Sequence, residues 1–126
     1  MGKEPKMLEY TGWVGGMTLS EGNSKMVVTN NIVAGTWHHG YHIVPKKCVN
    51  DNGNFIFKNN VAHSISGYGV IAMNVANDCS KIKDFTAYKV TEATIMIGGP
   101  SAINRGKNIR SIDTRYGIGV FSAGGG

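Results

Sequence analysis

A phrase that appears four times constrains this chain more than any single motif. Asn31-Ile32-Val33-Ala34, followed by Gly40-Tyr41-His42-Ile43, returns 29 residues later as Asn60-Val61-Ala62-His63 with Gly69-Val70-Ile71-Ala72. Two more copies follow at steps of 24: Asp84-Phe85-Thr86-Ala87 with Ala93-Thr94-Ile95-Met96, and Asn108-Ile109-Arg110-Ser111 with Gly117-Ile118-Gly119-Val120. In each copy the second apolar patch begins nine residues after the polar residue that opens the first. Short β-type runs between Gly and Asn turns, repeated at this period, mark a coiled β architecture. Composition agrees, since leucine occurs only at Leu8 and Leu19 while Val, Ile, Thr, Tyr and Asn abound. The expected fold is all-β: a right-handed parallel β-helix of about four to five coils.

Residues 1–24 read as an irregular N-terminal segment, with short strands expected at Trp13-Val14 and Met17-Leu19. The coils occupy residues 25–126. Pro45 closes the first coil because it cannot donate to a ladder. The run Asn50-Asp51-Asn52-Gly53-Asn54 forms a surface loop that accounts for the longer first step. Aligning the copies places Val61, Phe85 and Ile109 in one apolar ladder. It places Asn31, Asn60, Asp84 and Asn108 at one corner, where Asn and Asp tolerate turn backbone and bond along the stack. Four coils at about 4.8 Å each make a cylinder only about 20 Å tall. Nothing after Phe121 reads as a cap, so the expectation is a piece of a longer helix, or one completed by another chain.

With 41% hydrophobic and 17% charged residues, the chain is globular rather than disordered. The formal charge of +5 comes from basic residues scattered along the sequence, and Lys81 and Lys83 share one solvent-facing side by period two. A nucleic-acid surface needs a denser patch with interleaved aromatics, so no nucleic-acid partner is expected. Met1 to Tyr10 has no apolar core of a signal peptide, and no stretch is long and apolar enough to insert in a membrane. Cys48 and Cys79 each precede a β-type run in consecutive repeats, positions that could bring them together on neighbouring coils, whose spacing is within disulfide range. A bridge is preferred over two free thiols, and it would imply an oxidising compartment. The pair lacks metal-ligand spacing, and no metal or cofactor is expected.

Several phrases together resemble one known family. Gly40-Tyr41-His42 leads to Cys48, Asn60-Val61-Ala62-His63-Ser64 precedes Gly67-Tyr68-Gly69-Val70, and Cys79 precedes Phe85-Thr86-Ala87-Tyr88-Lys89. These are similar to the parallel β-helix region of fibrocystin and fibrocystin-L, shared with the cell-surface hyaluronidase type of protein. The resemblance spans roughly residues 30–122. It implies a large extracellular or ciliary-surface protein with this β-helix as one of several modules, partnered by other chains or by the rest of the helix.

The chemistry candidates are few. His38, His39, His42 and His63 are the only groups that titrate near neutrality. His63 aligns with Ala34 and His42 with Ile71, so they form no ladder, and His63 is expected to bond backbone or a neighbouring turn within its coil. His38 and His39 are adjacent, which should point them to opposite faces and away from a shared metal. Glycoside hydrolysis needs two carboxylates across a cleft, whereas Asp51, Asp78, Asp84 and Asp113 are dispersed. The reading is therefore a non-catalytic structural or interaction segment. The alternative is a carbohydrate-active or glycan-binding β-helix domain, hyaluronidase- or lyase-like, with Trp37, His63, Tyr68 and Arg110 as possible glycan contacts.

Overall fold

In a computed structural model of the protein, the residues described are 15–19, 26–43, 55–73, 81–98 and 106–121. Among them there is no helix. Nine strands, all paired in parallel, build one curled sheet. They are β1 (Gly15–Leu19), β2 (Val27–Thr29), β3 (Ile32–Ala34), β4 (His39–Ile43), β5 (Ile56–Lys58), β6 (Val61–Ile65), β7 (Tyr68–Met73), β8 (Ile82–Gly98) and β9 (Gly106–Phe121). The short strands β2, β3 and β4 form one rung, β5, β6 and β7 the next, and the long β8 and β9 each form a rung alone.

Strand pairing follows the sequence repeat with two corrections. β2, β3 and β4 pair with β5, β6 and β7 at an offset of 29, as Val27↔Ile56, Ile32↔Val61 and His39↔Tyr68. The next step is 25 rather than 24, because Phe57 lies opposite Ile82 and Val61 opposite Thr86. From β8 to β9 the offset is 24 at Phe85↔Ile109 and drops to 23 by Ile95↔Ile118, with an irregularity between Val90 and Ala93. The Val61–Phe85–Ile109 ladder therefore does not form. Phe85 and Ile109 pair, but Val61 pairs with Thr86 and lies one position further along.

β1 covers the short strand expected at Met17-Leu19 and joins the sheet by pairing with β4 at an offset of 24. Trp13 and Val14 lie outside the described residues, as do Cys48 and Cys79 and the loop before Phe55.

Two sharp corners bend each rung, and both rest on left-handed backbone. The first is the series Asn30, Asn59, Asp84 and Asn108, with φ of 59°, 56°, 49° and 54°. The second is Gly35, Ser64, Lys89 and Asp113, with φ of 71°, 55°, 52° and 52°. A left-handed residue reverses the facing of the chain locally, so the strand after it turns onto a new side. Asn and Asp carry this conformation at low cost, because a short polar side chain can bond locally. β8 and β9 keep their ladder bonds through both corners and so read as single strands of 17 and 16 residues.

The concave side is apolar. Tyr41 from β4, Phe57 from β5 and Phe85 from β8 are each at most 1% exposed, and the Tyr41 ring meets both phenylalanines edge to face, with Tyr41–Phe57 centroids 5.1 Å apart. Ala62 and Ala87 face Gly40 and Gly69 across this interior. A methyl group added at Gly69 would sit 2.5 Å from the Thr94 carbonyl oxygen and 3.2 Å from the Ala87 Cβ. The two opposed sides thus approach closely only because both carry small residues.

Candidate functional site

The first corner is built from neighbouring polar residues with different duties. Asn30 and Asn59 hold the left-handed turn, and Asn31 and Asn60 follow it on the interior side. Asn60 is fully buried. Its Oδ1 accepts from the Asn31 backbone N–H (3.0 Å) and from Asn31 Nδ2 (3.1 Å), while its Nδ2 donates to the Val28 carbonyl (2.9 Å). All of these bonds run between rungs, which ties two turns of chain together. The expected corner ladder of Asn31, Asn60, Asp84 and Asn108 is thus two series. Asp84 and Asn108 align with Asn59, and the interior place of Asn31 and Asn60 passes to Phe85 and Ile109.

On the outer side of the same corner, Asn108 Nδ2 donates to Asp84 Oδ1 (2.7 Å), and Lys58 Nζ lies 4.0 Å from Asp84 Oδ2. Asn59, Asp84, Thr86, Asn108, Ile109 and Arg110 enclose an open hollow of about 540 Å³. Arg110 is exposed here, across the ladder from Thr86.

His63 stands two residues beyond Val61 on this outer face. Its ring stacks on that of Tyr88 in the next rung, with centroids 4.6 Å apart and planes within 5°. Its Nδ1 lies 3.1 Å from the Ser64 hydroxyl, so it bonds the neighbouring turn as expected. Trp37 is 64% exposed and lines a different hollow, about 490 Å³, with Ser64, Ser66, Lys89 and Thr91. Tyr68 meets the edge of His38 at 5.7 Å. The four possible glycan contacts therefore do not share one cleft: Arg110 and Trp37 border separate hollows, and Tyr68 belongs to a histidine cluster.

That cluster comprises His38, His39 and His42 around the start of β4. His38 Nδ1 and His39 Nδ1 are 3.0 Å apart, and the His39 and His42 rings are 5.5 Å apart. Adjacent residues converge here because His38 sits in a bend before the strand begins, so strand alternation does not govern it. Burial is the main cause holding all three below the usual histidine range, and it brings His39 down to about 4, helped by the neighbouring His38 and His42. Among the described residues, no three His, Cys, Asp or Glu side chains are placed to hold a metal ion.

Of the four dispersed aspartates, Asp51 and Asp78 lie outside the described residues. Asp84 and Asp113 occupy left-handed positions of different corners, and Glu92 lies 3.8 Å from Arg115. Tyr41 is committed to the core: its hydroxyl donates to the Val61 carbonyl (3.0 Å), and burial pushes its pKa up to about 12.

One alignment was missed in the sequence. Lys58 pairs with Lys83, and Lys83 with Lys107, giving a column of three exposed lysines immediately before the first corner. The 25-residue step hides it, since a uniform 24 sets Lys58 against Ile82. No family model matches the chain, and neither a curated protein nor a solved structure matches it. Among the described residues, no helix is long and apolar enough to cross a membrane.

Proposed function

We propose that the chain is a segment of a right-handed parallel β-helix that serves as a non-catalytic structural or interaction module. The setting fitted by its resemblance to fibrocystin and fibrocystin-L is a large extracellular or ciliary-surface protein. One observation carries the reading. The buried column Tyr41, Val70 and Ile95 continues in register to Ile118 of β9, which is 55% exposed. Among the described residues, β9 pairs on one side only. An interior column left open, beside a 16-residue strand edge with free backbone groups, calls for another rung or another chain.

Sedimentation velocity tests the reading directly. The full chain is expected to associate with rising concentration, and Ile118→Lys, which places a charge on the open column, to weaken that association. A chain that stays monomeric throughout, or turnover of hyaluronan or pectin abolished by His63→Ala or Asp84→Asn, overturns it.

A further inference from the structure

The lysine column has no structural explanation in the fold. Like charges on directly paired positions of neighbouring strands are destabilising, yet Lys58, Lys83 and Lys107 occupy three consecutive rungs. Asp84 reaches only Lys58, and among the described residues neither Lys83 nor Lys107 has a carboxylate in salt-bridge range. The column runs along the stacking direction, with one ammonium group per rung at about 4.8 Å. The hollow bordered by Asn59, Asp84, Thr86, Asn108, Ile109 and Arg110 opens just past the corner beside it, with the Asp84 carboxylate accepting from Asn108 Nδ2 and lying 4.0 Å from Lys58 Nζ.

These groups describe a partner. A line of cations at one-rung spacing matches a linear polyanion whose charges repeat at a similar interval, about the length of one sugar in an extended polysaccharide. The amides of Asn59 and Asn108, the Thr86 hydroxyl and the Arg110 guanidinium offer donors and acceptors suited to sugar hydroxyl and carboxylate groups. Single-stranded nucleic acid carries charge too, but its binding sites stack bases on aromatic rings, and among the described residues no aromatic lines this hollow. We propose that the Lys58–Lys83–Lys107 column and the hollow beside it bind a linear acidic polysaccharide with one carboxylate per sugar, lying across the rungs. The proposal does not depend on what pairs with the open strand edges.

Calorimetric titration of the full chain at low salt tests it, using oligogalacturonate, a hyaluronan oligomer with one carboxylate per two sugars, neutral dextran and an oligothymidylate. Oligogalacturonate is expected to bind most tightly and dextran not at all. Lys83→Gln should weaken the binding about two- to fivefold and reduce the salt dependence by about one released ion. Replacing all three lysines with glutamine should abolish it. Lys89→Gln, which removes a charge at the other corner, should leave it unchanged. Circular dichroism confirms that each variant is folded, and the substituted lysines are exposed, so folding should be retained. Absence of oligogalacturonate binding, an equal loss on Lys89→Gln, or tighter binding of hyaluronan or of oligothymidylate overturns the proposal.

Discussion

Asn59 and Asn60 are the same residue type side by side, and the fold uses them in opposite ways. Asn59 supplies a backbone conformation, whereas Asn60 supplies a buried amide with three hydrogen bonds to the rung below. Asn60→Ala would strand the Asn31 N–H and the Val28 carbonyl in the interior, and should cost about 2–3 kcal/mol in urea-denaturation stability. Asn59→Gly, which keeps the left-handed turn available, should change stability by less than about 1 kcal/mol. A second prediction concerns the histidines near β4. His38, His39 and His42 lie close to one another and to Tyr68, partly withdrawn from solvent. Their folded pKa values lie below the unfolded 6.5, so between about 4 and 6.5 the unfolded chain binds more protons. Stability should therefore be constant above pH 7 and fall as pH drops from 6.5 towards 4. Denaturation midpoints at pH 7.5, 6.5 and 5.5 check this while the carboxylates stay ionised, and His39→Phe should flatten the slope.

Strands here are defined by their partners more than by their own propensities. β5 and β2 are three residues each and would not persist alone, but each forms part of a ladder continued by a longer strand. Where the opposed sides approach closest, Gly40 and Gly69 face Ala62 and Ala87. Gly69→Ala should destabilise by about 1–3 kcal/mol, because the added methyl meets a backbone oxygen that cannot step aside. Thermal unfolding of that variant, compared with Gly117→Ala, makes the test specific, since Gly117 has only a side-chain oxygen 3.9 Å away. The elements were legible in the sequence from the repeated Asn-Ile-Val-Ala and Asn-Val-Ala-His phrases and from the Gly-Tyr-His-Ile and Gly-Val-Ile-Ala runs. The Asn-Asn dipeptides blurred the register. Two asparagines in a row let the phrase be aligned on either one, and the apolar Phe85 after Asp84 made the wrong choice look natural.

At the scale of the molecule, stacking makes stability a matter of neighbours. The rung of β5, β6 and β7 and the rung of β8 are covered on both sides, whereas β9 is covered on one. Native-state hydrogen exchange should accordingly be slowest for the amides of β7 and of β8 from Phe85 to Ile97, and faster throughout β9. Uniform protection across all rungs would show that the whole sheet opens as one unit.

The chain's own order of residues determined that it is all-β, that its strands repeat, and that polar corners separate apolar runs. Those properties are local: β-branched content, turn residues and period are written in each copy. Only the tertiary structure decided the one-residue difference between a step of 24 and a step of 25. Ladder hydrogen bonds and side-chain fit across the interior settle register, and neither is local to a copy. That single residue moved Asn60 from a corner to the core and set Lys58, Lys83 and Lys107 in line. The histidine cluster likewise depends on a bend that brings adjacent side chains together, which strand alternation alone forbids.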